Sequence, residues 1–266
     1  MPFLLHLTFW PIVAFFVAIL LLSLEAGYRL GRRKREALKD EDIVGSNVAI
    51  TSIFATVGLI LAFTYAYTVS RADMRKQMVI QEANAISTAF LRAGLVPDPG
   101  STELKMALLE YARSRLVTNE VLSSGEAMRE FLHRNSQLQA KLWPITENIV
   151  KSNPPGPLEA SLIAAVNQVL DVYTARISFG MDRLPLSILL MILIISAAAL
   201  AMAGFSSGLH GRFSRWRMTA LAFALALVLF VILDFDFPRQ GFIRVNQQPL
   251  QFAIDGTEEA NLANMQ

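Results

Sequence analysis

Four apolar runs without a single Asp, Glu, Lys or Arg punctuate the chain, at residues 3–24, 48–69, 184–205 and 218–233. A bilayer's hydrocarbon core, about 30 Å thick, needs roughly 20 helical residues to cross it. The first three runs meet that length. The fourth covers roughly 24 Å at about 1.5 Å per residue, but Phe235 and Phe237 prolong its apolar character before Pro238 stops it. Run one has no basic leader and no small-residue cleavage site ahead of Gly31-Arg32-Arg33-Lys34-Arg35, so it reads as an uncleaved anchor.

Between runs two and three, residues 70–183 read as helical. Met74, Met78, Ala85 and Ala89 recur at helical spacing, so the helix of span two is predicted to continue out of the bilayer. Pro97-Asp98-Pro99-Gly100 breaks it, and Ser101 is placed to cap a helix over 104–117. A further helix is predicted over 126–142, ending or kinking at Pro144. The Asn153-Pro154-Pro155-Gly156-Pro157 turn then leads into a helix over 158–181, with Leu162, Val166, Val169 and Tyr173 on one face. No period-2 alternation points to a sheet. The tail reads as extended at 242–245 and disordered after Asp255. The fold class is therefore all-α, a polytopic helical membrane protein with four transmembrane helices in a two-plus-two arrangement. Residues 1–69 hold spans one and two, 70–183 a helical extramembrane domain, 184–237 spans three and four, and 238–266 the tail.

Composition supports this and narrows the chemistry. Of the 266 residues, 53% are hydrophobic and 17% charged, whereas soluble domains carry about 25% charged residues. A net charge of only +2 argues against a nucleic-acid partner, since such proteins show a concentrated basic face. The absence of cysteine removes disulfides, thiolate nucleophiles and thiolate metal sites. His6, His133 and His210 stand far apart, so no metal site is expected. No nucleophile elbow, phosphate loop, zinc-helix or dinucleotide motif occurs, and the spans lack ionisable residues, so neither an enzyme nor a cofactor is expected.

Charge sets the expected orientation. Arg29, Arg32, Arg33, Lys34, Arg35 and Lys39 in the first short loop face the same side as Arg212, Arg215 and Arg217 in the other. Basic short loops stay in the cytoplasm, which predicts periplasmic termini and a periplasmic 70–183 domain in a bacterial inner membrane. Opposite them lie Arg71, Arg75, Lys76, Arg176, Arg183, Arg239 and Arg244. The Arg32–Arg35 cluster reads as this ordinary topology signal rather than a lipid site, since Glu36, Asp40, Glu41 and Asp42 follow it.

The candidate site lies on span two. Ser52, Thr56, Ile60, Phe63 and Tyr67 share a helical stripe, beside a stripe of small residues, Asn47, Thr51, Ala55, Gly58 and Ala62. Such a face either lines a pore, with Ile60 or Phe63 as a dewetting constriction, or packs helices closely. At the other membrane face, Arg71, Glu82, Arg183, Asp234 and Asp236 form either a charged pore mouth or an interfacial ion-pair lock, with Arg71, Arg183 and Arg239 as cations for the two aspartates.

Together, the small-residue span two, Arg71, Glu82-Ala83-Asn84-Ala85, Leu108-Leu109-Glu110-Tyr111, Arg176, Arg183-Leu184-Pro185 and the closing Leu233-Asp234-Phe235-Asp236-Phe237-Pro238-Arg239-Gln240-Gly241 resemble the bestrophin-like family, a membrane family of unknown function. The family's name implies kinship with bestrophins, which are pentameric anion channels of four spans per subunit whose pore is lined by the second span. The resemblance thus implies a homo-oligomeric, pentameric, anion-conducting channel in contact with the lipid bilayer, small inorganic ions and its own copies. The alternative is a non-conducting scaffold or sensor whose extramembrane domain binds a partner.

Overall fold

Hydrocarbon offers no water to satisfy a free N–H or C=O, so an apolar run must close its backbone bonds within itself. The computed structural model describes residues 9–35, 40–118, 121, 124–210, 215–237, 241–243 and 245–263. Its element order is α1 (Phe9–Lys34), α2 (Asp40–Ala93), α3 (Gly100–Ser114), α4 (Gly125–Ser152), α5 (Pro157–Met181), α6 (Leu186–His210), α7 (Arg215–Asp236) and α8 (Gln248–Ala263). The described residues are thus almost all helical. Four stretches, within α1, α2, α5–α6 and α7, are long and apolar enough to cross a membrane. The predicted start of span one, residues 3–8, lies outside the described residues, as do Arg212, Pro238, Arg239 and Arg244.

The chain divides into two compact units, Met1–Ala72 with Arg183–Ile243, and Asp73–Asp182 with Arg244–Gln266. In the first, Phe16, Leu20 and Leu24 of α1 pack with Leu193 and Leu200 of α6, Leu229 and Leu233 of α7, and Val57 and Leu61 of α2. Helices α1 and α6 approach to backbone contact. A Cβ on Gly27 would fall on the Ala201 carbonyl oxygen, and one on Gly204 on the Leu24 carbonyl oxygen; Gly31 and Gly208 repeat the arrangement one turn on. Each helix thus presents a Gly-x-x-x-Gly face to the other, the spacing that lets backbones meet in lipid. The fourth span is less marginal than its apolar run implies, because α7 has 22 residues and reaches about 33 Å.

In the second unit, α2 indeed continues as one helix to Ala93. Of the stripe read from the sequence, Ala85 and Ala89 are buried in the core, whereas Met74 and Met78 are not. Met74 is exposed, and the buried line runs through Val79, Glu82, Ala83, Ile86 and Phe90. It packs against Leu104, Leu108 and Tyr111 of α3, Leu142 of α4, Leu162, Val166 and Val169 of α5, and Leu250 and Ile254 of α8.

Three expectations are corrected here. Ser101 does not cap α3; the cap role falls to Asp98, whose carboxylate accepts from the Thr102 N–H and hydroxyl, while Ser101 is buried in the first turn. Helix α4 neither ends at Pro144 nor stops at 142 but runs to Ser152, since Asn135, Leu138, Leu142, Thr146 and Ile149 continue one buried face across the proline. Packing of that face outweighs the one backbone bond that proline removes. The tail is not disordered after Asp255: α8 extends to Ala263, with Leu250, Ile254 and Thr257 buried at helical spacing. Gln247 fixes its start, accepting from the Val117 N–H at 2.7 Å and donating to the Val117 carbonyl at 2.8 Å.

Candidate functional site

Helix α2 is two-faced within its first unit. Val57, Leu61, Thr64 and Thr68 are buried, and the threonine hydroxyls donate to their own helix, Thr64 to the Ile60 carbonyl and Thr68 to that of Tyr65. The opposite face is open. Ser52 and Thr56 are exposed, Phe63 is 69% exposed and Tyr67 48%, while Ile60 is half-buried. From Thr51 onward the small-residue stripe lies on this open side too, and a side chain at Gly58 would meet open space. Thr56 donates its hydroxyl to the Ser52 carbonyl at 3.0 Å. Arg71 ends the stripe: its Nη1 donates to the Tyr67 hydroxyl at 2.8 Å and its guanidinium lies 5.3 Å from that ring's centre. Tyr67 thereby accepts a bond and keeps its own proton for donation.

The acids that close span four are held by backbone. Asp234, buried at the end of α7, accepts from the Phe242 N–H at 2.7 Å and the Ile243 N–H at 3.0 Å, folding the chain back over the helix end. Gly241 sits against this carboxylate, where any Cβ would strike Asp234 Oδ1. Asp236 accepts from the Leu184 N–H at 2.9 Å, just ahead of α6, and Arg183 stacks over the Phe237 ring at 4.4 Å. A carboxylate at a helix C-terminus opposes the macrodipole, and these amides and the nearby guanidinium offset that cost.

Glu82 sits elsewhere, at the centre of the second unit's core. It is fully buried, and Arg115 is 2% exposed. Its Oε1 accepts from Arg115 Nε at 2.6 Å and from the Tyr111 hydroxyl at 3.1 Å, and its Oε2 is bound by Arg176 Nη1. The Arg115 guanidinium also stacks over Tyr173 at 4.8 Å. Burial, with the Glu82 charge second, pushes the Tyr111 phenol well above its ordinary value, so it stays protonated as a donor. Nearby, Arg75 donates to the Phe179 and Asp182 carbonyls and fastens α2 to the end of α5.

The sequence reading did not single out Arg115. A signal was nevertheless present. Glu82 interrupts the apolar stripe of α2, Arg115 follows Leu104, Leu108 and Tyr111 at the same helical phase, and Arg176 follows Leu162, Val166, Val169 and Tyr173. Charges of opposite sign at three core positions on three helices point to one buried cluster. Among the described residues no group of His, Cys, Asp and Glu is arranged to hold a metal ion.

Residues 13–250 match the bestrophin-like domain. No curated protein matches the sequence. Among solved structures, the chain is similar to a bacterial bestrophin homolog from Klebsiella pneumoniae carrying a tyrosine-to-alanine mutation, with a TM-score of 0.62 and 9% identity over 90% of this chain and 96% of that one. It is also similar to a membrane protein solved with a proline-to-alanine change, with a TM-score of 0.53 and 12% identity over 93% and 94%. At such identities the likeness is one of fold.

Proposed function

From the premise that this chain is a multi-pass membrane protein of the bestrophin-like family, we propose that it is a homo-oligomeric ion channel, pentameric and anion-conducting, with the pore lined by α2. One observation carries this reading. The open face of α2 bears Ser52, Thr56 and Tyr67, with half-buried Arg71 at its end, and polar and charged groups are costly against lipid. A face uncovered by its own subunit and unsuited to hydrocarbon fits a water-filled axis shared by copies of the chain. Thr56, Ile60 and Phe63 form the neck. The free Tyr67 proton and the positive charge of Arg71 favour an anion at one end of it. On the same reading Asp234, Asp236 and Arg183 lock the span ends, and Glu82 holds the extramembrane helices.

Purified protein reconstituted in liposomes tests the proposal. Chloride flux exceeding that of sodium and potassium is the expected result, and Phe63→Ala and Ile60→Ala should each raise it by widening an apolar constriction. Conductance indifferent to both substitutions would remove the neck assignment. An oligomer whose axis is not lined by α2, and which passes no ion, would favour the scaffold reading.

A further inference from the structure

The Arg32–Arg35 cluster reads from sequence as a topology signal, but the structure places part of it in a built cavity. On one side of α1, a hollow of about 680 Å³ is lined by Leu21, Leu24, Glu25, Tyr28, Arg29, Arg32 and Arg33, and closed by Thr219 of α7. Its composition is graded along the helix. Leu21 and Leu24 belong to the uncharged run that crosses the hydrocarbon, while Glu25 is the first charge beyond it. The cavity therefore opens at the hydrocarbon edge, apolar at one end and cationic at the other. Glu25 is occupied by Arg29 at 2.6 Å, which leaves Arg32 and Arg33 exposed at the rim with no ion-pair partner among the described residues. Among the described lining residues, three guanidiniums face one carboxylate.

We propose that this hollow between α1 and α7 binds one anionic phospholipid, its phosphate between Arg32 and Arg33 and the upper part of an acyl chain along Leu21 and Leu24. Guanidinium forks suit phosphate oxygens bidentately. Basic pockets between transmembrane helices are where anionic headgroups bind. Arginines in the last turn of α1 also complement its macrodipole, but that role needs no cavity and does not involve Thr219. The commitment to a lipid rather than a free anion rests on the leucine floor, which inorganic phosphate does not use.

The test is a titration of detergent-purified full chain with phosphatidylglycerol, read by native mass measurement, with phosphatidylethanolamine and inorganic phosphate as comparison probes. One phosphatidylglycerol per chain should bind well ahead of phosphatidylethanolamine, and phosphate should not displace it. Arg32→Ala with Arg33→Ala should weaken binding by at least about tenfold. Thr219→Trp, which keeps every charge and narrows the hollow at its α7 wall, should weaken it similarly, whereas Lys34→Ala with Arg35→Ala, outside the lining, should leave it within about twofold. Equal loss from the Lys34/Arg35 pair with no effect of Thr219→Trp overturns the site in favour of diffuse attraction. Equal binding of phosphatidylethanolamine, or displacement by phosphate, overturns it as well.

Discussion

Glu82 joins three helices through one carboxylate, so its loss is felt at each of them. A buried ion pair contributes little beyond an apolar substitute, but removing one partner leaves uncompensated charge and costs about 3–5 kcal/mol. Glu82→Gln leaves the Arg115 and Arg176 guanidiniums facing a neutral amide, and should lower stability by about that amount in chemical denaturation of the purified protein. The paired change Glu82→Gln with Arg115→Met should recover part of the loss. Tyr111 gives a second readout at this scale. Its pKa is raised by burial and by Glu82, so its contribution is complete below the unfolded tyrosine value of about 10 and fades as pH rises through the folded value. Tyr111→Phe should therefore be less stable at neutral pH and show a shallower alkaline loss above about pH 10 in a pH series of unfolding midpoints. The charged residues were visible in the sequence; their union was not, because Glu82, Arg115 and Arg176 are far apart along the chain and only packing shows that the helical phases coincide.

Helices differ in how much of each was readable. Spans one to three follow from run length alone, since lipid demands closed backbone bonds. The partner of each span did not. Only the structure pairs Gly204 and Gly208 with Gly27 and Gly31 across α1 and α6. Gly27→Leu sets a side chain against a backbone carbonyl that cannot rotate away, so it should cost more than the usual 1–3 kcal/mol or so of overpacking. Loss of the monodisperse species in size-exclusion chromatography would register it. Gly58→Ala offers the contrast: its Cβ meets nothing within the chain, so the subunit should fold as before, and any weakening confined to the oligomer would mark that stripe as a contact between copies. Pro144 and residues 256–263 show the limit of local reading. Proline and polar composition argue for a break and for disorder, yet the buried faces of α4 and α8 supply the stabilisation that propensity lacks.

At the scale of the whole molecule, orientation is the open variable that charge alone addresses. We propose cytoplasmic short loops, with both termini and residues 70–183 in the periplasm. The cysteine-free background makes this simple to check. Met106→Cys introduces a single thiol at a position 62% exposed on α3, and a membrane-impermeant maleimide should label it in cells whose outer membrane alone has been opened. Labelling only after the inner membrane is disrupted would place the domain in the cytosol instead. Neither result alters the conduction proposal, which depends on the axis formed by α2.

Length and patterning of apolar runs determined that the chain is helical and that it enters a membrane, because both follow from local backbone chemistry in lipid. Tertiary structure decided which helices touch, where Glu82 finds its arginines, how Asp234 binds the turn after α7, and that Arg32 and Arg33 border a cavity. Those outcomes depend on residues far apart in sequence meeting at a few ångströms, and one-dimensional periodicity fixes the phase of a helix without fixing its neighbour.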